Sequence, residues 1–122
     1  MQHCGIDLVD VARIRSAIEA QGERFLQRVF ATDEIGYCAA RRDPFPHYAA
    51  RFAAKEALYK ALPAGTLDAL VWNEIAVQHG TDGKPEFGFH GATAARLAGW
   101  QLSLSLSHTR ELAVAQVLAW RE

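Results

Sequence analysis

The hydrophobic period of this chain switches once, from helical to alternating, and the switch falls at Pro63 and Gly65. Upstream of it, apolar residues recur three and four apart. Val11, Ile14, Ala17 and Ile18 form one such set, and Gly22 ends it. Downstream they recur two apart, with Leu102, Leu104 and Leu106 alternating with Ser103, Ser105 and Ser107. A chain that groups most helices before most strands builds an α+β domain, in which amphipathic helices pack against an antiparallel sheet. A doubly wound parallel sheet does not fit, because there is no repeating βαβ unit and no Gly-rich phosphate loop. At 122 residues the prior is one domain spanning 1–122, with a single core.

The helical half opens with a strand at residues 3–9, where Ile6 and Leu8 alternate with Asp7. Asp10 can cap the helix that follows. A second helical piece carries Phe25, Leu26 and Val29, and a third runs from Thr32 toward Arg42. Pro44 and Pro46 make residues 42–47 irregular. Residues 47–62 form the longest, central helix. Beyond Pro63 and Gly65, residues 71–77 alternate as a strand, 81–85 turn, and an extended segment follows around Phe87 and Phe89. A short helix at 92–97 precedes two strands, 100–106 and 112–120, joined so closely that they must be antiparallel.

Several function classes fall away. Half the residues are apolar and 22% are charged, which suits a folded soluble protein rather than a disordered one. A formal charge of -1 does not recommend nucleic acid as a partner. Cys4 and Cys38 have no metal-ligand spacing and are too few to staple a secreted domain. No basic segment leads into an apolar run at the start, and no 18-residue apolar window occurs, so neither export nor a membrane is indicated. The cytoplasm is the compartment that remains. The five histidines lack zinc spacing; His3, His47, His79 and His90 read as surface or locally hydrogen-bonded residues.

Chemistry concentrates in residues 51–60, Arg-Phe-Ala-Ala-Lys-Glu-Ala-Leu-Tyr-Lys. At 100° per residue Ala50, Ala54, Ala57, Leu58 and Ala61 share one side, while Lys55, Glu56, Tyr59 and Lys60 hold most of the other. Phe52 lies among the polar residues, so that side is expected to be covered by another subunit, a loop or a ligand. As an exposed pair Glu56 and Lys60 would contribute only ~0.2 to 0.5 kcal/mol, and a plain solvated helix face accounts for them equally well. Asp7 interrupts an apolar strand. It is either the solvated side of an edge strand or, with Glu56, half of a hard-oxygen magnesium site completed by phosphate oxygens and water. His108, between two strands and beside Ser107, is either a structural turn residue or a loop group aimed at a ligand. No third member of a Ser-His-acid triad can be named. The arginines at 13, 15, 24, 28, 41, 42 and 51 make either an ordinary salt-laced surface or a docking patch for an acidic protein or for phosphates.

Four stretches together carry a family resemblance: Gly5-Ile-Asp-Leu-Val9, the block at 51–60, Asp82-Gly-Lys-Pro85, and Leu104-Ser-Leu-Ser-His-Thr-Arg-Glu-Leu-Ala-Val-Ala-Gln-Val117. In this order and spacing they resemble the holo-acyl-carrier-protein synthases, the short class of 4'-phosphopantetheinyl transferase, over essentially the whole chain. The resemblance implies that the phosphopantetheine arm of coenzyme A moves to a serine hydroxyl of an apo acyl carrier protein, with release of adenosine 3',5'-bisphosphate.

It also implies roles. Asp7 and Glu56 match the magnesium-binding carboxylates, Lys60 the lysine of the reacting phosphate region, and His108 the histidine of the coenzyme pocket. Arg51 and Lys55 fall in the same block and are expected to make phosphate or structural contacts. Glu56 is a metal ligand first and a possible general base second, since a metal-bound water could accept the serine proton instead. The implied assembly is a homotrimer with each active site at a subunit boundary. Arg13 occupies the matching carrier-docking position, and Arg24 and Arg28, spaced by four, are secondary contacts for an acidic carrier. Two alternatives stay open: a noncatalytic module that binds coenzyme A or the carrier, and a hydrolase that uses water as the nucleophile.

Overall fold

In the computed structural model, which describes residues 1–67 and 71–122, the strands and helices fall in the order β1 (Gln2–Asp10), α1 (Val11–Gln21), α2 (Glu23–Val29), α3 (Thr32–Ala39), α4 (Phe45–Ala61), β2 (Ile75–His79), β3 (Pro85–Phe89), α5 (Gly91–Arg96), β4 (Gln101–His108) and β5 (Leu112–Trp120). β1, β5 and β4 form an antiparallel sheet in that spatial order, and β2 and β3 form a separate antiparallel hairpin. The register sets Asp7 opposite Ala115, and Ala115 opposite Leu106. This is the α+β arrangement expected from the change of period.

α4 lies on one face of the three-stranded sheet, and small residues let it lie close. Ala49, Ala50, Ala53, Ala54, Ala57 and Ala61 are buried on the helix, and Ala113, Ala115 and Ala119 are buried on β5. On β1 the neighbour is Gly5. A Cβ there would overlap the carbonyl oxygen of Ala57 and stand 2.7 Å from the amide nitrogen of Ala61. Larger side chains fill the flanks: Val9, Val11, Ile14, Phe30, Leu58, Ile75 and Val117 are all buried. The opposite face of the sheet has no helix on it. It exposes Ile6 and Leu8, 58% and 65% accessible, with Leu112 and Leu118 of β5 and the serines of β4.

Four details differ from the expected elements. α4 begins at Phe45, because Pro44 takes the N-cap position and Pro46 sits in the first turn, where no amide hydrogen is needed. α3 ends at Ala39, short of Arg42. Asp10 takes the extended N-cap conformation of α1, but its side chain makes no capping hydrogen bond. Residues 72–74 form a single 3-10 turn rather than the start of a strand, which begins only at Ile75. That turn stacks Trp72 on Phe52, 5.1 Å between centroids and 11° between planes, and tertiary packing overrides the local alternation.

Gly5→Ala is expected to lower the unfolding free energy by ~1 to 3 kcal/mol, the usual cost of forcing extra volume into a packed contact. Urea unfolding measures it, and an unchanged midpoint would contradict the close approach of α4 to β1.

Candidate active site

Alternation along β1 turns Gly5, Asp7 and Val9 toward α4 and Ile6 and Leu8 away from it. Asp7 is therefore not on the solvated face of an edge strand; its side chain is 16% exposed. On the last turns of α4, Glu56 and Lys60 are four residues apart and share the side that meets β1. Lys60 Nζ donates to Asp7 Oδ1 at 2.9 Å and to the carbonyl oxygen of Ile6 at 3.2 Å. Glu56 is half-buried. Burial, and after it the negative charge of Asp7, hold its carboxyl above the usual range, while Lys60 and Arg13 pull it down.

Two carboxylates and a lysine thus meet where β1 passes the end of α4. Repulsion between Asp7 and Glu56 is what a divalent cation would relieve. Magnesium commonly takes one or two carboxylates and completes its octahedron with water and substrate phosphates, so this donor set fits it. Among the described residues no group of three His, Cys, Asp or Glu is arranged to hold a metal.

A second cluster lies toward the other edge of the sheet. A cleft of about 420 Å³ is lined by Arg51, His108, His47, His79, Tyr37 and Ser107, among others. Arg51 is buried on α4, its guanidinium 4.4 Å from the Tyr37 ring centroid, and it donates to the His47 carbonyl oxygen at 3.4 Å. Its Nε has no hydrogen-bond partner. His108 is the last residue of β4 rather than part of the turn, exposed, with its ring 4.9 Å from that of His47. Asp7, Glu56 and Lys60 do not line this cleft. Arg51 and His108 thus share this cleft, while Asp7, Glu56 and Lys60 meet between β1 and the last turns of α4.

Of the two roles expected for Lys55, phosphate or structural contact, the structure shows the structural one. Its ammonium is fully buried and donates to Glu34 Oε1, to the Val29 carbonyl at 2.7 Å and to the Trp72 carbonyl at 3.1 Å. Three donors meet three protein acceptors, so none is left for a coenzyme phosphate. Phe52 is covered, as expected, and what covers it is the segment between α4 and β2. It is buried by Trp72 and by Arg13, whose guanidinium is 5.6 Å from its centroid, so its own chain covers it and it argues nothing about a second subunit. Arg13, Arg24 and Arg28 are all exposed. Arg28 donates to Gln21 Oε1 at 3.0 Å. Sequence reasoning left His47 and Tyr37 out of the site. The spacing of His47 and Arg51, four apart on one helix, was the available signal.

Residues 3–117 match the 4'-phosphopantetheinyl transferase superfamily. The chain is 44% identical, over 125 aligned residues covering all of both sequences, to the holo-[acyl-carrier-protein] synthase of Carboxydothermus hydrogenoformans. Its fold is similar to the crystal structure of holo-[acyl-carrier-protein] synthase from Neisseria meningitidis, with a TM-score of 0.86, 32% identity and 98% of each chain covered. It is likewise similar to the Chronobacterium ammoniagenes ACPS-CoA complex, with a TM-score of 0.85, 29% identity, and 100% of this chain and 98% of the other covered.

Proposed function

The chain belongs to the 4'-phosphopantetheinyl transferase superfamily, and from that premise we propose that it works as a magnesium-dependent holo-[acyl-carrier-protein] synthase. It is an enzyme that moves the 4'-phosphopantetheine arm of coenzyme A to an apo acyl carrier protein and releases adenosine 3',5'-bisphosphate. The observation that carries the magnesium reading is the meeting of Asp7, Glu56 and Lys60 between β1 and α4.

Asp7 and Glu56 would hold the metal through their oxygens. When bound, magnesium supplies charge neutralisation at the pyrophosphate and makes a coordinated water more acidic. Lys60 brings further positive charge. Its side chain is 52% exposed and rests on Asp7 and the Ile6 carbonyl, so it can turn to a phosphate once Asp7 is engaged elsewhere. Accepting the proton of the attacking serine is the second role proposed for Glu56, with a metal-bound water as the other candidate acceptor. Arg51 and His108 form the proposed coenzyme phosphate site, and the buried, unpartnered Nε of Arg51 supports an anion there.

Incubation with coenzyme A, magnesium and an apo carrier is expected to add one phosphopantetheine arm to the carrier, read by mass spectrometry. Asp7→Ala and Glu56→Gln should each slow turnover roughly 10²- to 10³-fold without loss of fold, the scale seen when one preorganised electrostatic contact is removed. An unmodified carrier with hydrolysed coenzyme, or binding without transfer, would sink the assignment.

We propose a homotrimer with shared active sites, as the family resemblance implies, and two observations support it. Asp7 on β1 and the cleft at the end of β4 sit at opposite edges of one sheet, so a neighbour's cleft can complete the site. The uncovered face with Ile6, Leu8, Leu112 and Leu118 is apolar enough to be buried by other copies. Light scattering is expected to return three times the chain mass under active conditions, and a monomer would refute this assembly.

Arg13 is the proposed carrier contact, with Arg24 and Arg28 beside it, because exposed guanidiniums orient acidic partners. Arg13→Glu should raise KM for the carrier, with a defect that shrinks as salt rises and little change in coenzyme affinity. Equal loss of coenzyme binding would place Arg13 in the reaction pocket instead. Among the described residues no helix is long and apolar enough to cross a membrane, and the cytoplasm is the compartment proposed.

A further inference from the structure

Four rings and two guanidiniums gather where α3, the start of α4, the end of β2 and the end of β4 converge. Tyr37 is the hub. Arg41 lies 4.0 Å and Arg51 4.4 Å from its ring centroid, His79 of β2 is 5.2 Å away, and His47 meets it nearly edge-on at 6.0 Å. His47 in turn packs edge-to-face on His108, 68° between planes. It lines the same cleft as Arg51 and His108. Asp43, from the α3–α4 connection, is the one carboxylate among the described residues that acts on His47, against the positive charges of Arg51 and Arg41. The Nε of Arg51, 97% buried in residue terms, is left without an acceptor. A cationic cleft with an unanswered donor is built for an anion.

We propose that His47 is a further anchoring residue for a phosphate group of coenzyme A, and that it takes up a proton from solvent as the phosphate enters the cleft. The proposal rests on the reading of this cleft as part of the coenzyme site. The groups facing His47 are His108 from β4, Arg51 from α4, Arg41 and Asp43 from the α3–α4 connection, and Tyr37 from α3. Burial first, then His108, Arg51 and Arg41, hold its imidazole below the usual histidine range, so the empty cleft keeps it neutral near neutral pH. A phosphate dianion reverses the balance. It outweighs the neighbouring cations and offers oxygens to a protonated ring. The sign follows: binding consumes protons between the depressed value of the empty cleft and the higher value of the filled one, so coenzyme affinity rises as pH falls through that window.

Titration calorimetry of coenzyme A into the full chain, near neutral pH in two buffers of different ionisation enthalpy, reads the proton count directly. Wild type is expected to take up protons. His47→Phe keeps a ring against Tyr37 and His108, and His47→Gln keeps a neutral donor. Both should lose the His47 share of the uptake. His47→Phe should bind roughly tenfold more weakly at mildly acidic pH, the scale of one charge-assisted hydrogen bond, and approach wild type as pH rises. Proton release by the phosphate itself is common to all three proteins and cancels in the comparison. Wild-type uptake and affinity in both variants would overturn the role of His47 while leaving the cleft assignment intact. Equal weakening at every pH, with uptake unchanged, would also overturn it and make His47 a packing residue. Failure of wild type to bind coenzyme A would overturn this inference and the cleft reading together.

Discussion

Everything chemical in this chain depends on how closely α4 can approach β1. The helix backbone rides on the Cα of Gly5, with Ala57 and Ala61 directly above it, and alanines of β5 complete the contact. That closeness brings the last turn of α4 down onto the strand, so that Lys60 can reach both the Asp7 carboxylate and the Ile6 carbonyl. With a larger residue at position 5 the helix would have to lift, and the distance between β1 and Glu56 would rise with it. Interiors are packed tightly enough that such a shift is not absorbed locally.

A second tie fixes the other side of α4. Lys55 and Glu34 are both fully buried, and their desolvation would be ruinous if either lacked partners. Neither does. Glu34 also accepts from the amides of Ala31 at 3.0 Å and Val77 at 2.9 Å, so one carboxylate joins α3, α4 and β2. Burial pushes the Lys55 ammonium toward its neutral form, and Glu34 opposes that push. The alternation of charged residues along residues 51–60 therefore hides two different jobs. Lys55 holds the helix to the rest of the domain, while Glu56 and Lys60, one step around the helix, meet Asp7 of β1.

The class of fold and the order of elements were legible because period is a backbone property: helices and strands write 3.6 and 2 into the sequence whatever they later pack against. The misread stretch, 71–77, is one where alternation was real but the backbone turns to stack Trp72 on Phe52, a contact between residues twenty positions apart in the chain. The site was legible to the extent that it lies in compact motifs. Asp7, Glu56 and Lys60 meet as the motif pattern implied. Residue type and helical spacing alone do not separate Lys55 from Lys60; the resemblance did, and the position of Glu34, 21 residues away, decides that Lys55 is the buried one. His47 offered only its spacing of four to Arg51, because its ring partners Tyr37 and His108 lie on other elements.

β1 shows how little backbone is needed to serve several purposes at once. Its alternate residues Gly5, Asp7 and Val9 give, in turn, the close helix contact, a carboxylate and a core side chain, and all three point to α4. The residues between them, Ile6 and Leu8, point the other way and make the uncovered apolar face. A strand has a strict period of two, so a slip of one residue against β5 would exchange the two sets. It would bury Ile6 and Leu8 against α4, where Gly5 alone leaves room, and would turn Asp7 out of the site. The nine-residue pairing from Gln2 opposite Trp120 to Asp10 opposite Leu112 therefore guards the chemistry as much as the fold. The same register ties the face available for assembly to the face that holds the carboxylates, so neither can move without the other.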